Sequence, residues 1–343
     1  MAEPQRGDGS RTALLDAFLR AAGWGNAHHA PMSADASFRR YIRLTQDGQQ
    51  ALVMDAPPSH EDVRPFIMVD GHLRLLEFSA PQILAQDETN GFLLLEDFGN
   101  ATFTNLLAQG ASETELYRLA TDVLIALHAI DTDTATPHWL APYDDAKLRD
   151  EAALLLDWFM PAHGLEVGTD VRAQYEKIWF DLFAQVHTGP RTLVLRDYHV
   201  DNLMRLENRQ GIKACGLLDF QDALAGHPAY DLMSLLEDAR RDISNDVQAA
   251  MKERYFDALN IFGTARQDFE RAYAILAAQR HAKVIGIFTR LDQRDDKPVY
   301  LKHIGRVWRL LDRALDHPDL CDLKSWVDTH IAPEQRKAPE PST

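Results

Sequence analysis

The chain has 343 residues, 45% of them apolar and 26% charged, which suits a globular protein long enough for two lobes with separate cores. A formal net charge of -16 argues against unspecific attachment to nucleic acid or to an anionic membrane surface. Cys215 and Cys321 show no disulfide or metal-ligand spacing, no stretch reaches 18 uninterrupted apolar residues, and the start of the chain lacks an apolar leader. A cytoplasmic location without a membrane or nucleic-acid partner is therefore expected.

In chain order, Ser10 predicts the cap of a helix carrying Leu14, Leu15, Phe18 and Leu19 on one face and ending near Gly23. Ile42 and Leu44 alternate with polar residues, Asp47-Gly48 forms a turn, and Ala51-Leu52-Val53-Met54 returns: a β-hairpin. The polar loop before it, residues 33–39, is suited to cover phosphates with backbone N–H groups and the Ser37 hydroxyl. Residues 62–78 predict a helix with Phe66, Val69, Leu73 and Leu76 inward. Gln82–Gln86 and Phe92–Glu96 predict a second strand pair around Thr89-Asn90-Gly91. Glu96-Asp97-Phe98-Gly99 then reads as a hinge whose backbone can meet an adenine edge, with Glu96 and Phe98 beside the nucleotide.

From residue 98 the pattern is helical. Ser112-Glu113-Thr114-Glu115 is a capping box, and its helix carries His128, a position that is more often structural than functional. Helices are predicted at 148–159, from a cap at Asp170 onward, and at about 246–261, 266–291, 301–315 and 322–330, with a flexible tail at 337–343. The organisation expected is a nucleotide-binding lobe over 1–97 and a catalytic, acceptor-binding lobe over 98–336.

The most informative stretch lies between them in character. The apolar run Leu193-Val194-Leu195 ends in Arg196-Asp197, Asn202 follows five residues after the Asp, a hairpin intervenes, and a second apolar run ends in Asp219-Phe220. Two short buried strands would each deliver a carboxylate, an arrangement for holding a divalent metal and orienting a hydroxyl. Asp197 can accept a hydrogen bond from an attacking hydroxyl and take its proton. Asn202 offers Mg²⁺ a neutral oxygen and Asp219 a charged one that can bridge to the phosphates of ATP. Asp222 is placed to complete the metal shell or bind the acceptor, and Asp201 and Arg196 border the site, where each is expected to touch the acceptor or a neighbouring carboxylate. His199 and Asp231 are read as groups that hold the loop in shape.

At these residues the chain resembles the aminoglycoside phosphotransferase and choline kinase superfamily, whose members share a protein-kinase-like fold. Its loop of an Asp, a His two residues on and a following Asn matches Asp197, His199 and Asn202 within residues 195–202, its Ile-Asp-Phe/Trp element matches Leu218-Asp219-Phe220, and its Gly-x-Pro-x-x-Asp-Leu stretch corresponds to 226–232. The resemblance implies an α+β fold with a small antiparallel-sheet lobe and a large, mostly helical one. It also implies Asp197 as base, Asn202 and Asp219 on magnesium, and residues 94–99 as ATP hinge. Within the superfamily, Ser33–Tyr41, Val53–Pro58 and Leu195–Leu203 resemble the anomeric N-acetylmuramate/N-acetylglucosamine kinases of bacterial cell-wall recycling. That likeness implies transfer of the ATP γ-phosphate to the anomeric hydroxyl of an amino sugar.

One departure stands out. The strand that supplies a phosphate-binding lysine in most kinases reads Ala51-Leu52-Val53-Met54-Asp55, so the usual lysine–glutamate pair is missing or rebuilt; Arg39, Arg40 and Arg43 are the candidates to supply the charge, with Arg43 taken first. Two alternatives stay open: a kinase of another small hydroxyl (aminoglycoside, choline, homoserine or hexosamine), or a non-catalytic nucleotide-binding relative. A monomer is expected, with a dimer left open.

Overall fold

The computed structural model describes residues 8–32 and 38–341. The chain has a two-lobed α+β fold: a small antiparallel sheet near the N-terminus and a larger, mostly helical C-terminal part. No helix among the described residues is long and apolar enough to cross a membrane.

The first unit begins with α1 (Asp8–Ala21), so Ser10 lies inside the first turn rather than capping it. Five strands follow, β1 (His28–Pro31), β2 (Arg40–Gln46), β3 (Gln49–Asp55), β4 (Ile83–Asp87) and β5 (Phe92–Glu96), in the antiparallel order β1-β2-β3-β5-β4. The β2–β3 hairpin closes through Asp47 and Gly48, both at positive φ (52° and 76°), the twist-matched turn that their residue types favour. Strand periodicity then sorts the side chains. Leu44, Ala51, Val53, Phe92 and Leu94 pack with Leu15 and Leu19 of α1, leaving Tyr41 and Met54, register partners, on the opposite face. Helix α2 (Arg64–Leu75) starts with Pro65 in its first turn and buries Phe66, Val69 and Leu73.

Compact packing divides the chain into Met1–Ala111 with Val200–Asp222, and Ser112–His199 with Ala223–Thr343. In this division the segment 200–222 packs with the N-terminal unit. Its hairpin explains why: β7 (Leu203–Arg205) and β8 (Cys215–Leu217) are tied to that unit through Arg205 N–H to Ala101 O (2.8 Å) and Leu217 N–H to Ser79 O (2.8 Å). Helix α3 (Phe103–Ala108) completes this unit and is capped by Thr102.

The second unit contains α4 (Glu113–His128), α5 (Thr132–Ala135), α6 (Asp145–Ala152), α7 (Met160–Ala162), α8 (Thr169–Val186), α9 (Ala229–Leu236), α10 (Asn245–Ala258), α11 (Gly263–Asp295), α12 (Ile304–Leu315) and α13 (Cys321–His330). Strands β6 (Thr192–Val194) and β9 (Leu224–Gly226) pair within it. Ser112 Oγ accepts from Glu115 N–H (3.3 Å), the capping contact its sequence predicts. Asp170 lies in the first turn of α8, whose cap position is Gly168. The helix predicted at 148–159 stops at Ala152 and becomes a π turn over Leu155–Phe159. Gly286 of α11 presses there: a Cβ on it would sit 2.3 Å from both C and O of Leu154. The tail expected to be flexible is packed at its start, since the Lys337 carbonyl accepts from His163 Nε2 (3.1 Å) and Pro339 is buried.

The centre of α11 is buried on all sides from Ala272 to Gly286, yet it carries Gln279, Arg280, His281 and Lys283. Charges in such a helix need partners.

Candidate active site

In the helical unit, β6 leads into Leu195–His199. The N–H groups of Leu195 and Arg196 both donate to the buried Asp231 carboxylate, at 2.6 and 2.9 Å. Arg196 has φ 67°, a left-handed conformation that costs a non-glycine residue about 1–3 kcal/mol unless its surroundings over-determine it. They do. Its carbonyl accepts from Ser234 Oγ (3.1 Å) and Arg280 Nη1 (3.0 Å), and the Tyr198 hydroxyl anchors the next turn on Ala120 O (2.9 Å). This bend aims Asp197, whose side chain stays 37% exposed between buried neighbours.

Burial alone would raise the Asp197 pKa, but Arg280 (Nη2 to Oδ1, 3.5 Å), Lys283, His199 and Arg196 outweigh it and hold the carboxyl down at about 2. Asp197 is therefore an anion across the physiological range. Asp231 goes the other way: burial pushes it up to about 7 against the pull of its two backbone donors.

The Arg196 guanidinium turns into the interior, pairs with Glu151 and lies over Tyr143 (5.5 Å to the ring centre). Glu151 also takes Lys283 Nζ (3.1 Å), Gln279 Nε2 (3.2 Å) and the Tyr143 hydroxyl. Burial opposes ionisation of Glu151, and the two cations overcome it, lowering its pKa. Of the two contacts expected for Arg196, the acceptor or a neighbouring carboxylate, the structure shows a carboxylate, that of Glu151. His199, also buried, lies 3.3 Å through Nε2 from Arg240 Nη1, and burial lowers its pKa.

In the N-terminal unit, Asn202 and Asp219 come together. Leu218 N–H donates to Asn202 O (3.0 Å), and Asn202 Nδ2 lies 3.5 Å from Asp219 Oδ2. Asp219 has φ 55° and is held by Gln221 Nε2 (2.8 Å), while the adjacent Phe220 packs on Phe66 (4.9 Å between ring centres). The Asp219 side chain is 45% exposed. An amide oxygen and a carboxylate here form a hard-oxygen pair that suits Mg²⁺, which takes one or two protein ligands and fills its shell with water and phosphate oxygens. Among the described residues no group of three or more His, Cys, Asp or Glu side chains is arranged to hold a metal alone. Asp222 is exposed nearby, and Asp201 accepts a hydrogen bond from Thr104.

At Glu96–Gly99, the segment read from sequence as a hinge, Arg43 clasps Asp97 through Nε and Nη2 and bonds Gly99 O (2.9 Å) and Asn100 Oδ1 (2.7 Å). Glu96 pairs with Arg209, whose guanidinium lies over the Phe98 ring (5.2 Å). That ring also fits against Gly216, where a Cβ would come within 2.9 Å of it. Ser37 lies outside the described residues. On β3, which carries no lysine, the Met54 sulfur accepts from the Tyr41 hydroxyl (3.3 Å).

The sequence reading missed Glu151, Arg280 and Lys283. A visible signal existed in Gln279-Arg280-His281-Ala282-Lys283, a polar run inside an apolar helix pattern. His128 proves structural: it lies 2.7 Å from the Tyr255 hydroxyl, and burial lowers its pKa to about 3.

With this geometry in hand, comparisons with known proteins become informative. Solved structures share the fold at low identity: a choline/ethanolamine kinase family protein from Mesorhizobium loti (TM-score 0.60, 12% identity, 93% of this chain and 99% of that one) and the gentamicin-APH(2")-IIa complex (TM-score 0.59, 15% identity, 93% and 99%). Two N-acetylmuramate/N-acetylglucosamine kinases are closer in sequence. That of Pseudomonas aeruginosa is 40% identical over 91% of this chain and 92% of its own length. That of Caulobacter vibrioides is 34% identical over 95% and 98%. The profile of the phosphotransferase enzyme family matches residues 28–275, a span holding the whole Asp197–Asn202–Asp219 arrangement, and the chain belongs to that family.

Proposed function

We propose that this protein is an ATP-dependent sugar 1-kinase that phosphorylates the anomeric hydroxyl of N-acetylmuramate, N-acetylglucosamine or both. The observation that carries the chemistry is Asp197, an exposed, ionised carboxylate on a loop whose bend is over-determined by Asp231, Ser234 and Arg280. The substrate class is supported by the two curated relatives named above, aligned over nine-tenths or more of this chain.

Phosphoryl transfer is served mainly by position and electrostatics. Asp197 accepts a hydrogen bond from the acceptor hydroxyl and aims its oxygen; a carboxylate with pKa about 2 is a weak base, so the proton moves late. An anomeric hydroxyl, more acidic than an ordinary alcohol, suits such a base. Asn202 and Asp219 would hold Mg²⁺, which when bound supplies charge to the phosphate oxygens. Nucleotide would lie along the sheet face that carries Arg43 at the hinge end and Arg39 near Asp219, about 13 Å apart at four strand residues.

A panel of acceptors, with ATP consumption measured and ³¹P NMR locating the new phosphate, tests the proposal. Free N-acetylmuramate or N-acetylglucosamine should yield a sugar 1-phosphate, and the methyl glycosides should be inert. Asp197→Asn should lower turnover by at least about 10²-fold with MgATP affinity nearly unchanged. Phosphorylation of a methyl glycoside would move the reaction to another hydroxyl, and full turnover in Asp197→Asn would reject the base.

A further inference from the structure

The missing strand lysine leaves a defined question: which cation meets the nucleotide phosphates. The structure separates the three arginines near the start of β2. Arg43 is spent on the hinge, bonded to Asp97, Gly99 and Asn100. Arg40 points to the other face of the sheet, where it shares Asp55 with Arg11 (2.7 and 2.6 Å) and keeps 53% of its side chain exposed. Arg39 differs from both. Its side chain is 13% exposed, with Nη1 3.7 Å from Asp219 Oδ1 and Nε 3.7 Å from Glu61 Oε2.

From these contacts we infer that Arg39, oriented by Glu61, is the phosphate-binding cation of this enzyme, an inference that rests on the nucleotide-dependent reading above. Arg39 immediately precedes β2, two residues before Tyr41; its side chain bonds that of Tyr41, whose hydroxyl in turn donates to Met54 on β3. The Arg39–Glu61 pairing is also braced mechanically: the preceding residues, Phe38 and His60, stack ring on ring (4.6 Å between centres, 13° between planes), which pins the two segments side by side. Both carboxylate contacts are 3.7 Å, ion-pair separations that hold the guanidinium between Glu61 and Asp219. Phosphate oxygens drawn to the Asn202–Asp219 pair would arrive within reach of that fork, whose planar donors match them.

Arginine is cationic at any physiological pH, so Arg39 brings a permanent positive charge to an end of the lobe that also carries Asp219 and Glu61.

Titration calorimetry of the full chain with MgATP and with adenosine tests the assignment. Arg39→Ala should weaken MgATP binding by about ten-fold or more and leave adenosine affinity near wild type. Arg39→Lys should restore most of the MgATP affinity, and Arg40→Ala should match wild type. Should Arg39→Ala fail to fold, Arg39→Gln replaces it with the same expectation. Wild-type MgATP affinity in the alanine or glutamine variant overturns the inference alone, as does an equal loss for adenosine, which marks a merely structural role. If the wild-type chain itself binds no MgATP, the kinase reading falls and takes this inference with it.

Discussion

Replacing Asp231 by Asn tests whether the bend before Asp197 is built from outside the loop. The carboxylate is fully buried and accepts two backbone N–H groups, from Leu195 at 2.6 Å and Arg196 at 2.9 Å. Asparagine has the same shape but only one acceptor atom. One N–H keeps its partner through Oδ1. The other faces an NH₂ group and is left buried and unsatisfied, at about 1–3 kcal/mol. The positive φ of Arg196 adds to this, because strain once offset by the carboxylate is freed to relax, and relaxation swings Asp197. The expected loss of stability is about 2–4 kcal/mol, read from urea unfolding. The expected loss of turnover is about 10²-fold, because a displacement of the order of 1 Å at an aligned nucleophile costs that much. MgATP affinity should stay within about twofold, since Asp231 and the nucleotide residues belong to different units. Unchanged stability and turnover in Asp231→Asn would refute the reasoning; loss of stability with full turnover would show that the bend does not depend on this acid.

Three further outcomes are expected. With the Asp197 pKa depressed to about 2, the contribution of this ion is present above its unfolded value of about 4 and lost only as pH falls toward 2, so kcat/KM should show no acid limb from this group between about pH 5 and 8. An acid limb in that range that disappears in Asp197→Asn would contradict it. His128 and His227 are held neutral by burial, with pKa lowered to about 3 and about 4, so unfolding below their ordinary value takes up protons and stability falls as pH drops from about 6.5 to 4.5. His128→Gln should shallow that slope, measured as unfolding free energy against pH, by about one proton. Gly286→Ala should destabilise the helical unit by about 1–3 kcal/mol, because the added methyl meets backbone atoms of Leu154 rather than a movable side chain. A variant with the wild-type unfolding midpoint would show that the π turn shifts at no cost.

Local chemistry made part of this protein legible before any coordinates. The Asp47-Gly48 hairpin turn, the Ser112 capping contact and the long helices follow from residue types a few positions apart, and the structure repeats them. Strand-end acids at Asp197 and Asp219, with Asn202 five residues after the first, are likewise set by apolar runs ending in polar loops. Elements that depend on distant partners were not legible. Strand β1 is four exposed residues whose only strand signal is its pairing with β2, and the π turn exists because Gly286 meets Leu154 across 132 positions of chain. Residues 200–222 pack with the first unit for the same reason: short strands β7 and β8 are tied to Ser79 and Ala101. Charge pairing shows the division most clearly. Arg39, Arg40, Arg43, Arg196, Arg280 and Lys283 are equivalent cations in a string of letters. What distinguishes them is which carboxylate each one meets and how much water that meeting excludes, and both are properties of folded distance rather than of sequence spacing.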